Sequence, residues 1–195
     1  MIVCGVDEVG RGALFGPVVA AAVILPEGAI ATLTDAGVTD SKKLKPAKRE
    51  ALDIQIRQLA QCEVGVASVY EIDRINILQA SLLAMRRAIL RLETVPDLCL
   101  IDGNQEVPGL PIAQRTVVKG DLNELAIASA SIVAKVWRDD LITRLSRRYP
   151  GYDLASNKGY GSAKHRAGIA ELGITRQHRR SFRSCQIAEQ IDLTL

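Results

Sequence analysis

Histidine is nearly absent from this chain: His165 and His178 are its only two. A histidine-centred triad or a zinc site has little to build on, and both imidazoles read as loop-stabilising residues. The four cysteines, Cys4, Cys62, Cys99 and Cys185, are scattered. None forms the close Cys-x-x-Cys pair that zinc sites use, which leaves buried free thiols. Long apolar runs are missing as well. The longest, Pro17 to Pro26, is about half of what a bilayer-spanning helix needs and reads as a buried strand, so no membrane role is expected. Met1 leads straight into Ile2, Val3 and Cys4 with no basic segment or cleavage site, so a cytoplasmic location is the default. No internal repeat or low-complexity segment is visible.

What is present is the composition of an ordinary globular chain, 195 residues with 48% hydrophobic and 24% charged. That length suits one domain, residues 1–195, with one well-buried core. The net charge of +3 permits nucleic-acid binding without establishing it. Its distribution says more. Between Leu154 and Arg183 the basic residues are Lys158, Lys164, Arg166, Arg176, Arg179, Arg180 and Arg183, against the single acid Glu171. Such a run is either a solvated face or a phosphate-binding patch.

Ile2 to Val6 and Pro17 to Leu25 are apolar, β-branched runs separated by Gly10-Arg11-Gly12, which predicts two paired strands. Lys45-Pro46 opens a helix with Leu52, Ile56 and Leu59 at helical spacing. A third strand is predicted over Glu63 to Tyr70. Ile75, Leu78, Leu82, Met85 and Ile89 then form a three-and-four repeat, a helix ending near Glu93 before Pro96. Leu98 to Ile101 is a short strand entered from a helix, hence parallel to an earlier one. A weaker strand, Ala113 to Val118, precedes a long helix from about Leu122 to Arg148, with loop and one or two short helices after Pro150. The order β-β-α-β-α-β-α-β-α defines an α/β domain.

In such a sheet, sites gather at the carboxyl ends of strands, where Asp7 can meet Asp102. Clustered carboxylates repel one another unless a cation lies between them, and hard oxygen ligands suit Mg²⁺ or Mn²⁺. Asp7, Glu8, Asp102 and Asp121 are the candidates. Asp102-Gly103-Asn104 also fits a strand-to-turn signal, and Asp121 with Glu124 fits a capping box. Asp7-Glu8, two acids directly after a buried strand, is harder to explain structurally. Gly10-Arg11-Gly12 allows close backbone approach to a ligand, with Arg11 able to contact phosphate. It is no dinucleotide fingerprint, because Gly16 is followed by Pro17 and a strand rather than a helix. Asp40-Ser41-Lys42-Lys43-Leu44 is a phosphate cradle or a solvated loop.

The segments Gly5-Val6-Asp7-Glu8-Val9-Gly10-Arg11-Gly12, Asp40-Ser41-Lys42-Lys43-Leu44, Asp102-Gly103, Lys119-Gly120-Asp121, Ser129-Ala130-Ser131-Ile132-Val133-Ala134-Lys135-Val136, Lys158-Gly159-Tyr160-Gly161 and His178-Arg179-Arg180-Ser181-Phe182 occur together in one chain. Their order and spacing resemble those of bacterial type 2 ribonucleases H over nearly the whole length. The resemblance implies an RNase H-like fold, with a five-stranded mixed sheet flanked by helices. A small helical C-terminal region, from about 150 to 195, would bind substrate.

It further implies a monomeric endonuclease that cuts the RNA strand of RNA-DNA hybrids. Such an enzyme also nicks duplex DNA on the 5' side of embedded ribonucleotides, serving ribonucleotide and RNA-primer removal. Asp7, Glu8, Asp102 and Asp121 would hold Mn²⁺ or Mg²⁺, and the product would carry a 5'-phosphate and leave a 3'-hydroxyl. Gly10, Arg11, Gly12 and Tyr160 match the elements that read the 2'-hydroxyl, the group that separates RNA from DNA. Ser41, Lys43 and Asn76 match positions near the bound strand, while Arg179 and Arg180 belong to the basic segment expected to meet phosphates. Asn157 replaces a common histidine in a place that bears on a hydrogen bond supporting the Tyr160 loop. Ser162 replaces a frequent threonine, and Ser184-Cys185-Gln186 a proline-containing ending. Ile187 to Leu195 carry no clamp-binding motif. Two rivals keep some of these features: a non-catalytic hybrid-binding domain, and another RNase H-like nuclease such as a resolvase.

Overall fold

The short apolar runs at the start of the chain become the centre of a sheet because both of their faces can be covered. Val3–Val9 (β1) and Val18–Ile24 (β2) pair antiparallel, from Cys4 opposite Ile24 to Val9 opposite Val19. Leu98–Asp102 (β4) lies parallel to β1, with Val3 opposite Leu98 and Val6 opposite Ile101. Gln61–Ala67 (β3) and Ala113–Val117 (β5) complete a five-stranded mixed sheet in the order β3-β2-β1-β4-β5. The structure, a computed structural model, describes residues 1–186, so the segment Ile187 to Leu195 lies outside the described residues.

The described residues fall into two compact units. The first holds Met1–Val9, Val19–Val66 and Ser81–Val136. Its core sets Ala21 and Val23 of β2 against Ala29 and Leu33 of helix α1 (Glu27–Asp35), Leu52 and Ile56 of α2 (Pro46–Leu59), and Ile132 and Val133 of α5 (Leu125–Ser146). One close approach governs this packing. A Cβ on Gly5 would lie 2.1 Å from the carbonyl carbon of Ala126, so only glycine lets α5 lie this near β1. The second unit holds Gly10–Val18, Ala67–Ala80 and the chain from Trp137 onward. Its core gathers Leu14, Phe15, Ile142, Tyr152, Leu154, Ile169 and Cys185. Helices α6 (Leu154–Asn157) and α7 (Ala163–Leu172) lie within it, matching the expected short helices after Pro150.

Several predicted boundaries move for identifiable reasons. Helix α1 was not anticipated, although Pro26 and Gly37 bracket it and Ala29 and Leu33 form its buried stripe. The third strand stops at Ala67 instead of Tyr70, because Ser68 and Glu71 form a capping box that opens helix α3 (Val69–Ile89). That helix breaks at Asn76 (φ 68°), whose Oδ1 accepts the Gln79 N–H and caps the second segment. The long helix predicted from Leu122 is divided at Glu124, which is extended between α4 (Gly120–Asn123) and α5. Leu59, at helical spacing with the buried Leu52 and Ile56, is 38% exposed as the last residue of α2. The anticipated helix between the fourth and fifth strands does not form either. Parallel β4 and β5 are joined through Gly103 to Ile112 by turns alone, too short a link for a packed crossover helix. Three of the four free thiols are buried as expected, Cys62 being partly exposed. Among the described residues no helix is long and apolar enough to cross a membrane.

Candidate active site

Parallel pairing of β1 with β4 sets Asp7 and Asp102 at the same end of adjacent strands, one step beyond the Val6–Ile101 pair. Asp7 is 4% exposed. Burial, then the neighbouring charges of Glu8 and Asp102, raise its carboxyl well above the usual carboxylate range, opposed by hydrogen bonds from the Ser131 hydroxyl and the Glu8 N–H. The Glu8 N–H donates to Asp7 Oδ1 at 2.7 Å. Glu8 itself is partly exposed. Asp102 Oδ1 accepts the Gly120 N–H at 2.8 Å, which ties the end of β4 to the turn that carries Asp121. A Cβ at 120 would lie 2.4 Å from Ile127 Cδ1, so a larger residue there would have to displace the end of that side chain.

Asp121 is buried, and burial followed by Asp102 and Asp40 raises its pKa against the pull of Lys42. The capping-box reading of Asp121 does not hold. Lys119 is the N-cap of α4, and Glu124 instead pairs with Arg115 at 3.1 Å. Asp7, Asp102 and Asp121 therefore form one electrostatic neighbourhood, with Glu8 beside Asp7.

Lys42 was missed among the candidate site residues. Burial lowers its pKa, but Asp7, Asp40, Asp121 and Asp102 raise it to a net upward shift, so its ammonium answers the acids. The signal was present in Asp40-Ser41-Lys42-Lys43, but spacing alone could not say which lysine answers the acids. Both lysines are exposed. Ser41 is buried, with its Oγ 2.9 Å from Ser131 Oγ, and its carbonyl accepts from Arg49 Nη1. It thus joins a hydroxyl chain that reaches Asp7 through Ser131, rather than lying open to a bound strand.

Hard carboxylate oxygens of this kind suit Mg²⁺ or Mn²⁺. Among the described residues no three acid, thiol or imidazole side chains converge tightly enough to chelate an ion by themselves. The donor set accordingly fits ions that keep part of their water and borrow phosphate oxygens.

In the second unit, the Gly10–Gly12 segment and the Tyr160 loop are brought together. Ala13 bridges Tyr160, and the Leu14 N–H donates to the Gly159 carbonyl at 2.8 Å. Two fully buried arginines brace them. Arg138 donates to the carbonyls of Phe15, Pro17 and Lys158, and Arg179 to those of Gly10, Arg11 and Gly16. Arg179, expected at phosphates, is instead an internal brace. Arg180 is exposed, and its N–H and that of Ser181 donate to the Asp73 carboxylate.

Gly10 (φ 91°) has no room for a side chain, as its Cβ would lie 2.2 Å from Arg138 Nε. Gly12 has open space around it and, like Arg11, is exposed. Tyr160 is 36% exposed, and Asn76 is exposed at its helix break. Asn157 supplies the loop support that the exchanged histidine had put in question. Its Oδ1 accepts the Gly159 N–H, its Nδ2 donates to the Tyr152 carbonyl, and its own carbonyl accepts the Tyr160 N–H.

Acids at the ends of two parallel strands, with a further acid on the following turn, are the ground plan of RNase H-like nucleases, which hydrolyse phosphodiester bonds. Residues 4–185 match the family described as Ribonuclease HII. The chain belongs to the ribonuclease HII family, divalent-metal-dependent endonucleases that hydrolyse RNA in RNA-DNA hybrids. The ribonuclease HII of Acaryochloris marina is 70% identical over 185 residues, covering 94% of this chain and 93% of that protein. The ribonuclease H2 of Pyrococcus horikoshii OT3 has a TM-score of 0.83 at 26% identity, with both chains fully covered. A Bst ribonuclease HIII solved in complex with Mn²⁺ shares the fold at a TM-score of 0.81 and 22% identity, covering 100% of this chain and 71% of that one.

Proposed function

We propose that this chain, besides cutting the RNA strand of hybrids, nicks duplex DNA on the 5' side of single embedded ribonucleotides. Residues 1–195 act as one monomeric domain in the cytoplasm, with the region from about 150 onward binding substrate. Asp7, Glu8, Asp102 and Asp121 would hold Mn²⁺ or Mg²⁺, which would lower the pKa of a water and neutralise charge on the leaving oxygen. The water oxygen forms a bond to phosphorus, and the bond from phosphorus to the 3'-oxygen breaks. The attacking water gives up one proton to solvent and the 3'-oxygen takes one up from solvent, leaving a 3'-hydroxyl and a 5'-phosphate. Asp7 orients its oxygens through the Glu8 N–H and the Ser131 hydroxyl, and Lys42 restrains the acids between turnovers.

Tyr160 and the Gly10-Arg11-Gly12 backbone read the 2'-hydroxyl, while Arg11, Lys43, Asn76 and Arg180 meet the strand. The observation that supports the reading is the geometry that sets Asp7 and Asp102 at the same end of paired parallel strands and ties Asp102 to the Gly120 N–H beside Asp121, gathering acids that repel one another without a cation. A site built to bond a hydroxyl disfavours a substrate lacking it, so all-DNA duplex is a very poor substrate.

The test is an end-labelled DNA duplex with one ribonucleotide, incubated with Mn²⁺, with Mg²⁺ and with chelator. Metal-dependent nicking 5' to the ribonucleotide is expected, and Tyr160→Ala should lose more rate here than on a long hybrid. Binding without nicking in either metal would return the chain to a hybrid-binding module, and preferential cutting of branched DNA to a resolvase-like enzyme.

A further inference from the structure

His165 and His178 are 0% and 1% exposed, and neither belongs to the acid cluster. Their Nε2 atoms are 3.1 Å apart. His178 Nδ1 lies 2.9 Å from the Thr175 N–H and 3.0 Å from its hydroxyl, and His165 Nδ1 lies 2.9 Å from the Tyr160 carbonyl. Phe15 and Tyr152 wall the His178 ring at centroid distances of 5.1 and 4.9 Å, and Tyr152 also flanks His165.

These contacts fix the protons, because a backbone N–H can only donate and a carbonyl can only accept. The Thr175 N–H requires a bare Nδ1 on His178, so the His178 proton sits on Nε2. That proton points at His165 Nε2, which must be bare, and His165 therefore carries its proton on Nδ1, aimed at the Tyr160 carbonyl. The direction is unbroken from Thr175 through both rings to Tyr160. A second proton on either ring has no place. On His178 it would face the Thr175 N–H, and on His165 it would set two Nε2–H groups against each other. Burial, and the His165 ring beside it, push the His178 pKa down to about 4, in keeping with an uncharged pair. A metal reading fails, since among the described residues no third ligand joins the two rings.

The end of the chain of bonds matters most. The Tyr160 carbonyl also accepts the Ser162 N–H at 2.8 Å, and the Ser162 hydroxyl caps α7 through the His165 N–H. Tyr160 is thus held from one side by Asn157 and from the other by an imidazole whose orientation is set by the second imidazole.

We infer that His165 and His178 are positioning residues, a directed and uncharged relay that sets the backbone of Tyr160 and thereby the selectivity for a single ribonucleotide. The inference rests on the proposed ribose-reading role of Tyr160.

Two-bond ¹H–¹⁵N correlation spectra of the intact protein at pH 7 test the relay directly. They should show the Nδ1–H tautomer for His165 and the Nε2–H tautomer for His178. The opposite tautomers, or an imidazolium, overturn the relay whatever Tyr160 does. The functional half is tested by the ratio of kcat/KM on a single-ribonucleotide duplex to that on a long hybrid. His165→Leu should lower the ratio by about tenfold, the worth of one buried hydrogen bond. His165→Asn, which keeps a donor at the Nδ1 position, should recover most of it. His178→Gln, which keeps the Nε2 donor, is the milder second variant should His165→Leu not fold, and should stay within about threefold of the parent. A fall in the ratio for Tyr160→Ala with none for His165→Leu overturns the positioning role and leaves ribose reading by Tyr160 standing. An unchanged ratio in Tyr160→Ala removes that reading, and the selectivity role of the relay with it.

Discussion

The guanidinium carbon of Arg138 lies 5.5 Å from the centre of the Tyr160 ring, so one buried cation braces the loop carbonyls and also faces the exposed aromatic. Replacing it strands three carbonyls at once. Arg138→Met should destabilise the protein by about 3 kcal/mol or more, because an unsatisfied buried acceptor costs more than a hydrogen bond contributes. The measurement is the urea midpoint, and a change below about 1 kcal/mol would show that the carbonyls find water or other donors.

Asp7→Asn should abolish metal-dependent cleavage and raise the thermal midpoint of the metal-free protein by a few degrees. Burial and the charges of Glu8 and Asp102 make the Asp7 carboxylate costly, and the amide removes that charge while keeping an oxygen for the Glu8 N–H. Near-parental cleavage by the variant would remove Asp7 from the metal site.

Lys42→Met should lower the Mn²⁺ concentration needed for half-maximal activity several-fold, since the ammonium competes with a divalent ion for the same acids. A metal titration on hybrid substrate reads this. A midpoint that does not move, or moves upward, contradicts the competition.

The two outer glycines of the Gly10-Arg11-Gly12 segment should separate folding from function. Gly10→Ala meets both a left-handed backbone and the Arg138 side chain, and should lower stability by about 1–3 kcal/mol. Gly12→Ala meets nothing in the protein, so its thermal midpoint should hold while its KM for the single-ribonucleotide duplex rises. Equal KM values for the Gly12 variant and the parent would place the strand away from this backbone.

His178 gives stability a definite slope with pH. Its folded pKa of about 4 lies below the ordinary 6.5, lowered by burial and then by His165, so the unfolded chain binds the extra proton first. Stability is lost as pH falls from about 6.5 towards 4, by up to about 3 kcal/mol. His178→Gln should flatten that slope in urea unfolding at pH 7 and pH 5, and a slope unchanged in the variant assigns the acid sensitivity elsewhere.

The sheet was legible because its strands are short apolar runs bounded by turn residues, and the parallel rule alone sets Asp102 beside Asp7. Asp121 was legible only as an acid. Its place beside Asp102 comes from the bond between the Gly120 N–H and Asp102 Oδ1, a contact that periodicity does not encode. Arg179 illustrates the opposite failure. In sequence it belongs to a basic run, and only the fold reveals three carbonyls converging on its guanidinium. The His165–His178 pair was hidden for the same reason, since thirteen positions separate two rings that meet end to end. Helix α1 went unread because nine residues with a two-residue apolar stripe carry little periodic signal.

The spacing between β1 and α5 depends on Gly5, and Ser131, which bonds Asp7, rides on that helix. A methyl group at position 5 would therefore act at a distance, levering the hydroxyl away from the carboxylate. In a random mutational survey scored by cleavage, residue 5 would rank with the metal ligands while leaving every ligand chemically intact. Intolerance at that position would report a mechanical tolerance rather than a chemical role.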